Sequence, residues 1–403
     1  MTTSERLHSA SRGRDRAYPV ALIAFMALGL RVVILGVAWP SIRTTFDRSQ
    51  SELGVILFAS GIGYMATAFL LGRVIARLGV GRLLILSTIL LTITTFGLAL
   101  APTFVVFLLF SLLAGSGTGA IDGSFNFYAT RNFSETGMNR LHGCFGIGAL
   151  AGPILMGFLL GAGASWRVGY LLVGVIMIGM IVLFVLTRDL WETAPPTGAA
   201  SHATESMTAR QVLSMPIMWV CLILFLCISG IEQTSGQWAF SVIQEGMHTS
   251  DQVASLWAGL FWGGMAFGRL TLGGSAVRVG TLRWIQGGVI GTALGGLVYA
   301  LAPYPIAPLG LLIIGLSMAT VFPLMMMLSP LRVGHGALSH AIGFQMAAAT
   351  IGSSVIPWIA GYLFASTSYH AVAWVIVAVA IVLFTVHAFV IVWQRQRMLN
   401  PGT

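Results

Sequence analysis

The sequence predicts an all-α protein that spans a membrane, and three observations support this fold class. Charged residues make up only 8% of the 403-residue chain and hydrophobic residues 57%, whereas soluble domains are roughly 25% charged. Apolar runs of about twenty residues, the length that crosses a bilayer, recur along the chain. Glycine occurs 49 times, which suits membrane helices that pack backbone against backbone. A solvated globular fold is therefore excluded.

Twelve apolar spans are predicted, and they form two sets of six. They lie at 18–39, 52–72, 82–100, 102–130, 139–162, 167–187, 212–240, 252–273, 282–301, 305–328, 337–363 and 371–393. The sequence thus predicts an N-terminal six-helix bundle over 18–187 and a C-terminal one over 212–393. A polar linker at 188–211 joins the bundles, and polar tails at 1–17 and 394–403 flank them.

All 21 basic residues are arginines, and their distribution predicts the orientation. Seventeen fall in the tails and loops on the side of the N-terminus, three fall in the opposite loops, and Arg31 lies within the first span. Since positive charge collects on the cytoplasmic side, we expect both termini and the linker in the cytoplasm and the helices in the inner cell membrane. Arginines scattered in short loops do not predict a nucleic-acid surface. The three cysteines lie in apolar spans without metal-ligand spacing, so no metal site is expected.

The fourth span contains an acidic residue, Asp122, in the middle of an apolar helix. Three glycines follow a four-residue step that begins at Gly115, and Thr118, Asp122 and Asn126 follow the same step. On a helix, these residues form a smooth strip beside a polar line. A carboxylate at this depth normally faces a cavity, a partner or a proton path. Asp122 is therefore a candidate functional residue.

The two halves share a loop feature that can be compared with a known family. Gly-Arg pairs end the second and eighth spans, and the segment GRVIARLGVGRLL, which begins at Gly72, resembles the loop signature of the major facilitator superfamily. Ala76 stands at the usual acidic position of that signature. The run GIEQTSGQW, from Gly230 to Trp238, and the acid followed by Asn in the fourth span are similar to the fucose–galactose–glucose:proton symporter branch.

The resemblance implies two pseudo-symmetric six-helix bundles and transport by alternating access. It also implies that the two Gly-Arg pairs lie in loops that move during transport; these residues are Gly72, Arg73, Gly268 and Arg269. No cofactor is expected, because a proton gradient would supply the energy. The expected partners are a small-molecule substrate, protons and the lipid bilayer, and we expect a monomer.

Arg31 is the cation that we expect to pair with Asp122. From the helix rise, Arg31 lies about 20 Å and Asp122 about 14 Å from the inner ends of their spans, so both are near the middle of a ~30 Å core. The resemblance implies that both helices line the cavity of the N-terminal half. We expect protonation of Asp122 to switch its pairing with Arg31; a purely architectural ion pair is the alternative.

Glu232 in the seventh span is the second acidic candidate. The sequence predicts Arg31 as the only deep cation against two deep carboxylates. Because burial disfavours an unpaired charge, one carboxylate would hold a proton or bind a cationic group. We expect Glu232 to bind substrate or to hold a second proton, and a snorkelling or gating role is the alternative.

Neutral polar side chains predict the class of substrate. Asn126, Gln233, Gln237 and Gln345 lie in the spans, and Trp238 offers a flat apolar face. Amides and an aromatic platform suit a polyhydroxylated ring, so we expect proton-coupled uptake of a sugar or another small polar solute. For each residue alone, a packing or interfacial role is the alternative. The alternative function is proton-coupled efflux of amphipathic drugs or lipids, which the Met-rich tenth span would suit.

The sequence does not indicate an enzyme. The run from Gly115 to Ala120 partly matches a dinucleotide-binding fingerprint, but it lies in a membrane helix without the strand–turn–helix context that the motif requires. No Walker loop, HExxH or GxSxG motif occurs. The linker is also too short for a nucleotide-binding domain. We therefore expect a transporter rather than an enzyme.

Overall fold

The computed structural model confirms an all-helical fold. It describes residues 3–191, 207–272 and 275–399, and within these ranges every regular element is a helix. Ten helical segments of the described chain are long and apolar enough to cross a membrane. The chain divides into two compact units, which are unit 1 (Met1–Arg48 and Val55–Gly198) and unit 2 (Ser49–Gly54 and Ala199–Thr403).

Unit 1 is built mainly from five long helices. These are α1 (Thr3–Phe46), α2 (Leu53–Leu100), α3 (Phe104–Asn132), α4 (Glu135–Gly161) and α5 (Trp166–Leu186). The last three begin at residues whose hydroxyl groups accept a backbone N–H of the first turn, namely Thr103, Ser134 and Ser165. This capping satisfies N–H groups that have no partner inside the helix.

Unit 2 combines five long helices with five short ones in its described part. The short helices are α6 (Ala209–Leu213), α9 (Ser275–Val279), α11 (Leu309–Met318), α12 (Val321–Met327) and α13 (Ser329–Val333). The long helices are α7 (Pro216–Ser241), α8 (Asp251–Thr271), α10 (Thr281–Leu301), α14 (Leu338–Ser366) and α15 (His370–Leu399).

Helical geometry is interrupted at two points that bear on the predicted number of spans. α2 leaves helical geometry at Gly79, where φ is 74° and ψ is 165°, and glycine adopts this φ without a steric penalty. The predicted tenth span is divided between α11 and α12 by Ala319 and Thr320. The prediction of twelve spans requires the 51-residue segment Gln50–Leu100 to cross twice and α8 to cross as well.

The helices extend into the segments predicted as polar tails. α1 begins within 1–17, and α15 continues to Leu399 within 394–403. The predicted linker contains α6 and a 3₁₀ turn at Arg188–Trp191. Residues 192–206 of the linker and the last four residues of the chain lie outside the described residues. The cytoplasmic placement of the tails and linker stays a prediction.

Glycines bring α3 into direct contact with the first part of α2. A Cβ atom on Gly115 would overlap the backbone carbonyl of Ser60, and one on Gly119 would lie 2.9 Å from the carbonyl oxygen of Tyr64. Without these side chains the two backbones can approach closely, as in other membrane helix pairs. The prediction that the glycine strip of the fourth span is a packing surface is therefore confirmed.

We predict that Gly148→Ala destabilises unit 1. A Cβ atom on this residue of α4 would overlap the carbonyl oxygen of Met26 on α1, and a backbone group cannot turn aside as a flexible side chain can. We expect the free energy of unfolding to fall by roughly 1–3 kcal/mol, as overpacking usually causes, and the thermal unfolding temperature in detergent to fall with it. Gly179→Ala on α5 is the control, because a Cβ atom there meets nothing within 4 Å. Equal losses in the two variants would contradict this account of the packing.

Candidate functional site

The carboxylate of Asp122 is held by two neutral side chains of unit 1. Tyr64 Oη, on the first part of α2, donates to Asp122 Oδ2 at 2.7 Å, and Asn126 Nδ2 donates to Oδ1 at 3.1 Å. Asn126 follows Asp122 by four residues, so the helix places its amide beside the acid. Each carboxylate oxygen therefore accepts one hydrogen bond from an uncharged group.

The guanidinium of Arg31, on α1, is also held by neutral groups. Its Nε donates to Thr95 Oγ1 at 3.3 Å, and its Nη1 donates to Thr118 Oγ1 at 3.4 Å. Thr95 lies on the second part of α2, and Thr118 lies one turn before Asp122 on α3. The hydroxyl proton of Thr118 is directed to the carbonyl oxygen of Ala114, at 2.9 Å, so its oxygen can accept from the guanidinium.

The predicted ion pair between Arg31 and Asp122 is absent from this structure. The Arg31 guanidinium donates to the hydroxyl of Thr118, and the Asp122 carboxylate accepts from the hydroxyl of Tyr64. Hydroxyl groups thus make the contacts that the ion pair would have made. Arg31 nevertheless contacts α3 at Thr118, which is one helical turn before Asp122. The polar line predicted on the fourth span thus serves both charges. Sequence reasoning missed Tyr64 and Thr95, and their only signal was polarity within an apolar span.

Glu232 has a cationic partner in unit 2. Its Oε2 lies 3.7 Å from Arg269 Nη2, and the two side chains are only 18% and 16% exposed. The sequence predicts Arg269 at the inner end of the eighth span, and Arg269 lies in the last turn of α8, which ends at Thr271. Glu232 is therefore not an unpaired carboxylate in this structure, contrary to the expectation that Arg31 would be the only cation available to the two acids.

Arg269 also contacts the break between α11 and α12. Its Nε donates to the carbonyl oxygen of Ala319 at 3.2 Å. The neighbouring Gly268 allows this approach, because a Cβ atom there would collide with the Cβ of Ala319. An interrupted membrane helix leaves carbonyl groups that a neighbouring side chain has to satisfy. Arg269 therefore connects Glu232 on α7 with the broken helix.

The first Gly-Arg pair has different surroundings from the second. A Cβ atom on Gly72 would meet nothing within 4 Å, and Arg73 is exposed. Gly268 is buried and Arg269 is half-buried. The two pairs match in sequence position, but they do not match in environment within their own units. Their movement during transport stays a prediction.

Two of the residues predicted to bind substrate lie together on α7. Gln237 Nε2 donates to Gln233 Oε1 at 3.4 Å. Gln237 Oε1 is buried and has no hydrogen-bond partner among the described residues. Gln233 is the residue after Glu232 in α7, so this amide pair and the Glu232–Arg269 ion pair lie next to each other along the helix. Carboxylate, guanidinium and amides together provide both donors and acceptors.

Trp238 and Gln345 are buried inside unit 2. Trp238 Nε1 donates to the carbonyl oxygen of Pro357 at 2.9 Å, and the indole packs against Phe364 with ring centroids 5.8 Å apart. Gln345 Oε1 accepts a hydrogen bond from Ser329 Oγ at 3.0 Å. These contacts join α14 to α7 and to α13. In this structure both side chains serve the packing of unit 2.

Comparisons with known proteins agree with this architecture. The sequence model of the Major Facilitator Superfamily matches two overlapping stretches of the chain, residues 20–336 and 237–400. The glucose/mannose transporter GlcP of Bacillus subtilis (strain 168) is 21% identical over 356 residues, which cover 84% of this chain and 85% of GlcP.

Two solved structures have a similar fold. The nucleoside transporter NupG superposes with a TM-score of 0.76 at 15% identity, over 93% of this chain and 99% of NupG. The fucose:proton symporter FucP of E. coli superposes with a TM-score of 0.65 at 13% identity, over 94% of this chain and 99% of FucP. At these identities the two structures show the fold alone.

We predict that Glu232 and Arg269 are energetically coupled. In a double-mutant cycle of Glu232→Gln and Arg269→Gln, the coupling energy in unfolding experiments should be about 0.5–3 kcal/mol, the range for residues in contact. Most of each side chain is shielded from solvent, so the attraction is only partly screened.

The exposed pair Arg188–Asp189 provides the control for this cycle. Its N–O distance is 3.2 Å, but its side chains are 71% and 82% exposed, so we expect no measurable coupling. If the coupling of Glu232 with Arg269 were as small as in this control, the ion pair would not contribute to the stability of unit 2.

Proposed function

Because the chain belongs to the Major Facilitator Superfamily, we propose that it takes up a sugar or another small polar solute together with protons, by alternating access. The carboxylate of Asp122 is the main support for this proposal. It lies in an apolar helix, and its hydrogen bonds within the described chain come from the neutral Tyr64 and Asn126. An intramembrane carboxylate in these surroundings is suited to gain and lose a proton.

Protonation of Asp122 is the proposed coupling step. Two neutral hydrogen bonds stabilise the ionised carboxylate, but they do not cancel its charge, so proton uptake removes a buried charge. Tyr64 and Asn126 can also bind the protonated acid, because a phenol oxygen and an amide oxygen can each accept the hydrogen bond that its O–H group donates. Arg31, which Thr118 holds one helical turn away, is the cation with which the ionised form pairs in the other stage of the cycle.

Glu232 and Arg269 form the charged part of the proposed substrate site in unit 2. Their separation of 3.7 Å is longer than a normal hydrogen bond. A sugar hydroxyl can donate to the carboxylate and accept from the guanidinium at the same time, so it can replace the direct contact without leaving either charge unpaired. Gln233 and Gln237 supply further donors and acceptors on the same helix.

The names of related transporters support the proposed class of solute. GlcP is a glucose/mannose transporter, and FucP is a fucose:proton symporter. Monosaccharides carry several hydroxyl groups, and the polar side chains of α7 offer complementary donors and acceptors. Symport of fucose with protons by FucP agrees with the role proposed here for Asp122.

Efflux of amphipathic drugs or lipids is the competing function. The methionines that would suit such cargo lie in the predicted tenth span, where Met318 and Met325 are buried in unit 2 and Met327 is 67% exposed. Two of these methionines are thus packed inside unit 2 and the third is on its surface, so the three do not share one environment. This arrangement favours the polar solute.

We predict that the purified protein in proteoliposomes accumulates at least one hexose when a pH gradient is imposed. A panel of hexoses tests uptake, and cationic dyes in the same vesicles test efflux. Saturable dye export without hexose flux would overturn the substrate class that we propose.

The same vesicles test the role of Asp122. Asp122→Asn keeps the size of the side chain but cannot titrate, so we expect exchange of labelled for unlabelled hexose to continue while accumulation against a gradient is lost. The control is Asp189→Asn, a change of an exposed acid on the 3₁₀ turn, which should accumulate hexose normally. Undiminished accumulation by Asp122→Asn would show that another group couples the proton.

We predict that Tyr64→Phe moves the pH profile of hexose uptake to higher pH. The phenol donates to the carboxylate of Asp122, so its removal destabilises the ionised form and allows the proton to bind at a lower proton concentration. A hydrogen bond to a charged group contributes about 1.5–3 kcal/mol, which corresponds to a displacement of about one pH unit or more. Tyr362→Phe, a change on the exposed surface of α14, is the control. An unchanged profile in Tyr64→Phe would exclude Asp122 as the titrating group.

A further inference from the structure

Unit 2 contains a buried cation that neither the proposed proton step nor the proposed solute site uses. The sequence predicts Arg332 in an inner loop, but its side chain, on α13, is only 4% exposed. Met325 and Cys221 contact its guanidinium, His387 lies within range of its charge, and Gln345 lies beside Cys221. We call this group the Arg332 cluster, and it consists of Arg332, Cys221 (α7), Met325 (α12), Ser329 (α13), Gln345 (α14) and His387 (α15).

The guanidinium of Arg332 has few acceptors among the described residues. Its Nη1 lies 3.3 Å from the thioether sulfur of Met325, which is a weak acceptor, and Cys221 beside it offers a weakly accepting thiol. Its Nε and Nη2 are buried and have no hydrogen-bond partner in the described chain. The described ion pairs of unit 2 do not include Arg332, whereas Arg269 has Glu232.

The neighbours of Arg332 add further donors. Gln345 Oε1 already accepts from Ser329, which leaves its buried Nε2 without a partner among the described residues. His387 is fully buried, and both of its ring nitrogens are likewise unpartnered there; in the neutral ring one of them is an N–H donor. The cluster therefore combines one full positive charge with several N–H groups and lacks a matching acceptor.

We propose that the Arg332 cluster binds a small inorganic anion of the halide type, which in a cell is chloride. A buried guanidinium is strongly unfavourable unless a negative charge and hydrogen-bond acceptors accompany it. A halide ion supplies both, because it carries a full charge and accepts from several N–H groups in different directions. A water molecule supplies acceptors but no charge. The residues of the cluster are almost completely buried, so the ligand has to be small.

The bound halide would stabilise unit 2 rather than serve as the transported solute. It would neutralise Arg332 and link α7, α13, α14 and α15, which all contribute to the cluster. This inference is independent of the proposed sugar transport, because it involves neither Asp122 nor the Glu232–Arg269 ion pair.

Thermal unfolding of the full-length protein in detergent tests the proposal. The probes are sodium chloride and sodium bromide, compared with sodium gluconate at the same ionic strength. We expect either halide to raise the unfolding temperature of the wild type by about 2–4 °C, the scale on which a ligand of modest affinity stabilises a unit of this size.

Two arginine variants separate a specific site from a general salt effect. Arg332→Met removes the charge at similar length, and we expect it to abolish the difference between halide and gluconate. Arg278→Met removes an exposed arginine of α9, and we expect it to retain the difference. No halide effect in the wild type, or an undiminished effect in Arg332→Met, would overturn the proposal.

If Arg332→Met does not fold, crystals of the wild type grown in bromide provide the test. An anomalous peak within hydrogen-bonding distance of the Arg332 guanidinium would support the site. The absence of a peak there would overturn it and leave water as the occupant.

Discussion

A carboxylate inside an apolar helix has to be held by neighbouring groups, and the packing of α3 on α2 meets this requirement for Asp122. Gly119 has no side chain to keep the backbone of Tyr64 at a distance. The close approach brings the phenol to 2.7 Å from the acid. The glycine strip and the polar line of α3 therefore act together, because the glycines allow the close approach of α2 that lets Asp122 contact Tyr64.

The two units stabilise their buried charges in different ways. In unit 1, neutral hydroxyl and amide groups hold Arg31 and Asp122 separately. In unit 2, Glu232 and Arg269 pair directly, and Arg269 also satisfies a carbonyl group at the helix break. The charge of a carboxylate held by neutral groups is less fully compensated than that of a carboxylate in a direct ion pair. Such a carboxylate therefore gains more when it binds a proton. For this reason, we propose Asp122 for the proton step and Glu232 for the solute contacts.

The sequence alone predicts the all-helical fold, the packing role of the glycine strip and the neighbourhood of Asp122 and Asn126. These features follow from composition and from helical periodicity, which are local properties. The break in the predicted tenth span also had a local signal, because Pro323 lies in the first turn of α12, where proline is tolerated.

The partners of the charged residues could not be predicted in the same way. The predicted eighth span, 252–273, contains Arg269, but one sequence does not show which neighbouring helix the side chain meets. Arg269 pairs with Glu232 because the last turn of α8 lies beside α7. Tyr64 and Thr95 meet the charges through packing between helices, and the periodicity of one helix contains no information about the rotation of its neighbour.

Infrared difference spectroscopy of the protein in lipid membranes tests the central claim most directly. Spectra recorded at acidic and alkaline pH reveal the carbonyl band of each carboxylic acid that titrates between them. The account predicts a band from a shielded carboxylic acid that is present in the wild type and in Asp189→Asn but absent in Asp122→Asn. The same band at full intensity in Asp122→Asn would show that Asp122 is not the residue that takes up the proton.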